Sequence, residues 1–182
     1  MDESLLTVGH GTLSEHELGE VLTAAGVRRV VDVRTSPGSR RHPHFSRHAL
    51  AEWLPAAGIS YRWEPDLGGW RRARPDSPHV ALHNSSFRGY ADHMGTAGFW
   101  TALDAVLAEA ARDRTAVMCS ETLWWRCHRR LLADAAALVR SVEVLHLGHD
   151  GGLVPHVPTE GVRRAGDELI YDVGHTHGLP GL

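Results

Sequence analysis

Two cysteines in one short segment are the residues best suited to chemistry in this 182-residue chain. Cys119 and Cys127 are its only cysteines, and they lie in the run Cys-Ser-Glu-Thr-Leu-Trp-Trp-Arg-Cys-His-Arg that ends at Arg129. A thiolate close to arginine and backbone amides is a nucleophile that attacks anionic or sulfur-containing centres. We therefore expect Cys119 to act as a nucleophile or redox thiol. The alternative is that Cys119 is a small buried core residue.

Other residues suit proton transfer or ligand binding beside these thiols. Glu121 can act as an acid or base or pair with an arginine, and His10 or His128 can move protons. Cys119 and Cys127 can form a transient disulfide, or bind a metal together with His128. The spacing Cys-x7-Cys-His is not typical of zinc, so no metal ligand set is predicted, although metal binding stays an alternative. The residues identify no cofactor and no oligomeric state.

Arginine is concentrated in one part of the chain. All 19 basic residues are arginine, and the segment 34–74 holds eight of them against three acidic residues, whereas the whole chain has a net charge of −3. Guanidinium groups bind carboxylates and phosphates, so an anionic small molecule or, alternatively, a nucleic acid is the expected partner. The candidate substrate-binding residues are Arg34, Ser36, Arg40, Gly68, Gly69, Tyr90, Arg126 and Arg129.

Short apolar runs alternate with helical patterns, which predicts the scaffold for these residues. The expected strands are Leu5–Val8, Arg29–Val33, Ile59–Trp63, Thr115–Cys119 and Val142–Leu147. The alternation is typical of an α/β fold with three layers: a mostly parallel sheet of about five strands with helices on both faces. In such sheets ligands bind at the carboxyl ends of the strands, where Cys119, His10 and Arg34 all fall.

Four helices are expected from apolar spacing and end signals. The first begins with a capping box of Ser14 and Glu17, the next two span about 46–57 and 96–112, and the fourth starts within a few residues of Cys119. The N-terminus of that fourth helix would lower the pKa of the Cys119 thiol.

A single domain spanning 1–182 is expected, with its core at about 5–150. The segment 64–86 is rich in Arg, Pro, Gly and Ser and is too long for a simple connection, so we expect a flap over the site. The tail 151–182 is expected to be a loop plus one hairpin that includes a weak strand at 168–173, with frayed final residues. An acidic N-terminus, two cysteines and no long apolar run favour a cytoplasmic protein without a membrane span.

Several motifs resemble the bacterial and archaeal family catalogued as domain of unknown function 488. They are Val8-Gly9-His10, Val30-Val31-Asp32-Val33-Arg34 with Pro37 and Ser39, Leu67-Gly68-Gly69, Phe87-Arg88-Gly89-Tyr90 with Met94, and Cys119-Ser120-Glu121 with Cys127-His128-Arg129. The resemblance covers roughly residues 5–150 and implies an α/β domain with a shared site built from these motifs. It implies no established reaction.

A weaker resemblance is to rhodaneses, in which a strand delivers a persulfide-carrying cysteine into a turn before a helix. Here the segment after Cys119 holds bulky Trp124 and Trp125 in place of the usual glycines. The residues therefore favour a cysteine-dependent enzyme that acts on an anionic substrate by sulfur transfer, phosphoryl transfer or thiol redox chemistry. A nucleic-acid-binding or nucleic-acid-processing module that uses the segment 34–74 is the alternative.

Overall fold

The computed structural model of the chain describes residues 3–38 and 40–175, so Ser39 and the end of the tail, 176–182, lie outside it. The strands are β1 Leu5–Gly9, β2 Arg29–Asp32, β3 Ser60–Trp63, β4 Thr115–Cys119, β5 Val144–Leu147, β6 Leu153–Pro155, β7 Val162–Ala165 and β8 Glu168–Tyr171. The α-helices are α1 Glu15–Ala24, α2 Arg47–Ala56, α3 Ser85–His93, α4 Ala97–Ala110 and α5 Arg129–Asp134, and α5 continues into a π-helical turn at Ala135–Val139.

The main sheet has six strands in the order β3-β2-β4-β1-β5-β6. The first five are parallel, which confirms the predicted fold class, and β6 pairs with β5 in the antiparallel sense at one edge. The chain crosses from β1 to β2 and later returns to place β4 between them. The carboxyl ends of β1, β2 and β4 therefore meet at one edge of the sheet.

Helices cover both faces of the sheet, because alternate residues of each buried strand point to opposite sides. Val31 and Val117 pack with α3, α4 and α5 on one face, whereas Val30 and Ala116 pack with α1 and α2 on the other. Helix α1 begins with the predicted capping box, in which the Ser14 and Glu17 side chains each accept the other's backbone N–H.

Two helices differ from the sequence-based expectation. The sequence did not predict α3, because Gly89 and its many polar residues obscure the apolar spacing; Asn84, whose side chain accepts the N–H groups of Ser86 and Phe87, was the available signal. The helix expected within a few residues of Cys119 begins only at Arg129, because a loop and a 3-10 turn at Trp124–Arg126 intervene.

The segments 64–86 and 151–175 pack onto the domain through a few buried side chains. Leu67 and Leu82 of the first segment lie in the core, whereas Trp70 is 83% exposed. The tail forms β6 and the expected hairpin, which pairs β7 with β8 and buries Tyr171. Within the described ranges no helix is long and apolar enough to span a membrane.

Candidate functional site

The two cysteine sulfurs lie in contact although eight positions separate them in the sequence. Cys119 ends β4, and the thiol loop, which we define as residues 120–128, folds back so that the two Sγ atoms are 3.2 Å apart. Both cysteines are free thiols. The Nη2 group of Arg129 holds the loop closed by donating to the carbonyl oxygens of Glu121 at 2.6 Å and Thr122 at 3.2 Å.

Gly9 allows the thiol loop to approach β1. A Cβ atom at this position would overlap the carbonyl oxygen of Glu121. The parallel register sets Gly9 beside Cys119, so the loop must cross this point as it leaves β4. The glycine of the Val-Gly-His motif is therefore a packing requirement of the thiol loop.

The hydrogen bonds around the two sulfurs place the negative charge on Cys127 and the proton on Cys119. The Cys127 Sγ atom accepts from the backbone N–H of Arg129 at 3.4 Å and from its side-chain Nε–H at 3.3 Å. The Cys119 Sγ atom instead faces the carbonyl oxygen of Glu121 at 3.6 Å, a group to which only a protonated thiol can donate. Cys127 is therefore the thiolate, and Cys119 donates toward a carbonyl or toward its partner sulfur.

The pKa shifts follow from these contacts. The pKa of Cys127 falls to about 6, mainly because the Cys119 thiol donates a hydrogen bond to its sulfur, with the charge and N–H groups of Arg129 adding to the effect against the cost of burial. Burial raises the pKa of Cys119 well above its ordinary value. The expectation that a helix N-terminus lowers the pKa of Cys119 is wrong, because the backbone N–H of Arg129, which begins α5, reaches Cys127 and not Cys119.

Arg129 is a buried cation with no carboxylate partner among the described residues. The residue is 1% exposed, and its contacts are the Cys127 sulfur, the Thr7 hydroxyl and two backbone carbonyls of the thiol loop. A buried charge is stable only when it is paired or fully hydrogen-bonded. The Cys127 thiolate is the anion in contact with it. Arg129 does not line the cavity beside the cysteines, so its position does not support the predicted role in substrate binding.

A cavity of about 690 Å³ opens at the carboxyl edge of the sheet, and both cysteines line it. His10, Arg34 and Ser36 line it from the loops that follow β1 and β2. Glu121, Arg126 and His128 line it from the thiol loop, and Gly69 lines it from the segment 64–86. The structure thus brings together most of the predicted site residues.

Arg34 is fixed by a carboxylate at the wall of the cavity. Its Nε and Nη2 groups donate to the two oxygens of Asp32 at 2.8 and 2.6 Å, and Asp32 also accepts from the Tyr61 hydroxyl at 2.6 Å. The Arg34 Nη1 atom lies 3.3 Å from the Nε2 atom of His10. The Nδ1–H of His10 donates to the carbonyl of Gly11 at 2.9 Å, which leaves Nε2 as the acceptor.

Both predicted histidines are neutral at pH 7. Burial lowers the pKa of His10 and of His128 to about 4. Both ring nitrogens of His10 have partners, whereas the Nε2–H of His128 donates to the carbonyl of Val33 at 2.8 Å and leaves Nδ1 as a proton acceptor. A Cβ atom on Gly69 would overlap the His128 ring, so glycine lets the segment 64–86 close against that ring.

Three further predicted residues do not face the cavity. Tyr90 is fully buried, and its hydroxyl donates to the carbonyl of Leu67 at 3.0 Å, so it joins α3 to the segment 64–86. Gly68 packs against Thr35. Arg40 is exposed and does not line the cavity. The role of these residues in binding a substrate is therefore not supported by their positions.

The structure also adds residues that the sequence reasoning missed. Trp70 lines the cavity as an exposed aromatic side chain, and Asn84 lines it at the start of α3. Thr7, which contacts Arg129 at 3.2 Å, was hidden in an apolar strand. A polar residue inside the run Leu-Leu-Thr-Val was the one available signal for it.

Two alternatives, nucleic-acid binding by the segment 34–74 and a metal site, receive little support from the described residues. Of the eight arginines in 34–74, three form ion pairs with other described residues: Arg34 with Asp32, Arg62 with Glu64 and Glu109, and Arg74 with Asp76 and Asp92. These pairs reduce the positive charge that is free to bind a nucleic acid. Nucleic-acid binding by this segment stays an untested prediction. Across residues 3–38 and 40–175, no group of three or more His, Cys, Asp or Glu side chains is arranged to hold a metal ion.

Comparison with known proteins identifies the family. No curated protein and no solved structure is significantly similar to this chain. One family model matches residues 15–136, a range that includes the thiol loop, both cysteines and helices α1 to α5. Because this match covers more than half of the sequence, the chain belongs to the family described as domain of unknown function DUF488.

Proposed function

We propose that this protein is a dithiol-dependent oxidoreductase that reduces small anionic disulfides, with Cys127 as the attacking thiolate and Cys119 as the second thiol. The observation that carries the proposal is the position of the Cys127 sulfur. It lies between two N–H donors of Arg129 and the Cys119 sulfur, which is 3.2 Å away. A thiolate with a second thiol in contact is the arrangement that thiol–disulfide exchange requires.

The reaction has two exchange steps. The Cys127 thiolate attacks one sulfur of the substrate disulfide, so a mixed disulfide forms, the substrate S–S bond breaks and one substrate thiolate leaves. Cys119 then transfers its proton to that thiolate and attacks the Cys127 sulfur. The Cys119–Cys127 disulfide forms, and the second substrate thiolate leaves and takes a proton from water. Two electrons have passed to the substrate, and an external dithiol returns the protein to its reduced state.

The cavity supports a small anionic substrate. Its volume of about 690 Å³ is in the range of small-molecule sites. Arg126 is exposed, lines the cavity and forms no ion pair within the described part of the chain. Arg34 also lines the cavity, but its charge is paired with Asp32. Arg126 therefore favours a substrate with carboxylate groups near its sulfurs.

Disulfide exchange explains more of the site than phosphoryl transfer does. A second thiol at contact distance takes part directly in exchange, whereas it has no role in transferring a phosphoryl group. Arg129, the arginine nearest the nucleophile, is also bound to the thiol loop and to Thr7 and does not line the cavity. A phosphoryl group would need such a cation on its equatorial oxygens.

The test is to trap the mixed disulfide with oxidised glutathione as the probe. The Cys119→Ser variant lacks the second thiol, so it should accumulate glutathione on Cys127, whereas Cys127→Ser should stay largely unmodified. Peptide mass spectrometry measures both. Preferential modification of Cys119, or equal modification of the two variants, would overturn the proposal.

The anionic substrate is tested separately with a matched pair of disulfides. Replacement of the cavity arginine, Arg126→Gln, should slow reaction with oxidised glutathione several-fold at low salt and leave reaction with the cationic disulfide cystamine unchanged or faster. Equal effects on the two probes would remove the anionic substrate from the proposal and leave the thiol chemistry standing.

A further inference from the structure

A continuous chain of buried hydrogen bonds lies behind Arg129 on the side away from the thiols. The Nη1 group of Arg129 is 3.2 Å from Thr7 Oγ1, which is 2.6 Å from His146 Nδ1. His146 Nε2 is 3.0 Å from His156 Nδ1, and His156 Nε2 is 2.7 Å from Asp134 Oδ1. We name Thr7, His146, His156 and Asp134 the buried relay.

The two ends of the buried relay have fixed directions. Arg129 can only donate and the Asp134 carboxylate can only accept. Thr7 therefore accepts from Arg129, and the Nε2–H of His156 donates to Asp134. Burial lowers the pKa of His146 to about 3, so His146 is neutral and links Thr7 to His156 with one N–H and one acceptor nitrogen.

The strands and the tail build this arrangement. The parallel register places Thr7 of β1 directly beside His146 of β5. His156 follows β6, and Asp134 also accepts from the backbone N–H of Thr159 at 3.0 Å and from the Tyr171 hydroxyl at 2.9 Å. The residues that hold the far end of the relay thus come from the tail, beyond the 15–136 range that matches the family.

The relay also contacts the thiol loop. The ring of Trp124 stacks on His146 with a centroid distance of 4.1 Å and an interplanar angle of 4°. Thr7 and Asp134 are fully buried, and His146 is 3% exposed. Water is therefore excluded from the chain, and loss of one member leaves its neighbours without a replacement partner.

We propose that the buried relay positions Arg129 so that its Nε–H points at the Cys127 sulfur, and that the C-terminal tail is thereby part of the active centre. The inference rests on the proposed function, because it concerns the thiolate of that same site. Arg129 keeps its charge in every state, so the relay acts on geometry: it fixes the guanidinium plane through Nη1 while the thiol loop fixes Nη2. The relay members are positioning residues, since none of them touches a sulfur. Outer partners of this kind orient the groups that contact the reacting atoms.

The experiment compares Thr7→Val with Thr7→Ser by measuring iodoacetamide alkylation of Cys127 against pH. Valine fits the strand but breaks the chain, so the pKa of Cys127 should rise by about one unit from about 6, and the alkylation rate at pH 6.5 should fall roughly threefold. Serine keeps the hydroxyl and should restore the wild-type profile. His156→Asn, which is too short to join Asp134 to His146, should act like Thr7→Val and serves if Thr7→Val does not fold.

Leu22→Ala is the control for loss of stability. It removes a fully buried side chain of α1 in the core on the other face of the sheet, so it should lower the denaturation midpoint without moving the alkylation profile. A wild-type alkylation profile in both Thr7→Val and His156→Asn would overturn the inference. If the wild-type protein instead forms no mixed disulfide while Thr7→Val still shifts the profile, the proposed function fails and the relay stands.

Discussion

Two arginines are buried beside the same cavity, and the fold neutralises them in different ways. Arg34 forms a two-pronged ion pair with Asp32, a residue that lies two positions before it. Arg129 has no carboxylate in contact among the described residues and pairs with the Cys127 sulfur. Arg34 has a permanent partner, whereas the partner of Arg129 is a thiol that carries charge only when ionised. The comparison separates an arginine that supports the wall of the cavity from one that contacts the proposed nucleophile, Cys127.

The histidines beside these arginines differ in the same way. His10 accepts from Arg34 and faces the cavity, whereas His146 and His156 join Arg129 to Asp134 through Thr7. Asp32 is therefore in direct contact with Arg34, whereas Asp134 lies several hydrogen bonds away from Arg129. That separation leaves the thiolate as the anion nearest to Arg129, which favours ionisation of Cys127.

The largest expected effect tests Arg34 as a structural residue. Arg34→Met leaves the buried Asp32 carboxylate without its partner and should lower the free energy of unfolding by about 3–5 kcal/mol. Chemical denaturation measures this change. The alkylation profile of Cys127 should keep its midpoint near pH 6, since Arg34 does not contact that sulfur. A large shift of that midpoint would show that the two arginines are not separate in function.

Replacement of Arg129 tests whether this arginine stabilises the Cys127 thiolate. Arg129→Met removes the cation that stabilises the thiolate but keeps the hydrogen bond from Cys119, so the pKa of Cys127 should rise and its alkylation rate at pH 7 should fall roughly tenfold. Arg129→Lys retains a charge and should lose less. Iodoacetamide kinetics followed by peptide mapping measure both variants. An unchanged rate in Arg129→Met would mean that Cys127 does not depend on this pairing.

A comparable effect on the pKa of Cys127 tests the roles of the two thiols. Cys119→Ala removes the hydrogen-bond donor to the Cys127 thiolate, so the pKa of Cys127 should rise and its alkylation rate at pH 6 should fall roughly tenfold. Cys119→Ser keeps a donor and should stay close to the wild type. The pH dependence of thiolate absorbance near 240 nm provides an independent measure. If alanine and serine behave alike, the contact between the sulfurs does not set the pKa.

Much of the scaffold could be predicted from local sequence patterns. The five parallel strands, the capping box of α1 and the helices α2 and α4 follow from apolar spacing and end signals within about 15 residues. Helix α3 and strand β6 could not be predicted in this way. Helix α3 contains Gly89 against the backbone of Arg71, and β6 is a three-residue edge strand that β5 stabilises.

The sequence by itself determined that Cys119, His10 and Arg34 would meet at one edge of the sheet. Residues that follow parallel strands must lie at the same edge, so strand assignment was enough to place them. The sequence did not determine which of the two thiols is ionised or which arginine contacts the thiolate.

Only the tertiary structure decided those two points, because they depend on groups that are distant in sequence. Thr7 and Arg129 are separated by 122 positions and Thr7 and His146 by 139, yet their hydrogen bonds fix the guanidinium beside Cys127. Proton affinity in a buried site depends on donors within a few ångströms and on the absence of water. Those distances arise from packing between whole elements, which no local pattern of residue types contains.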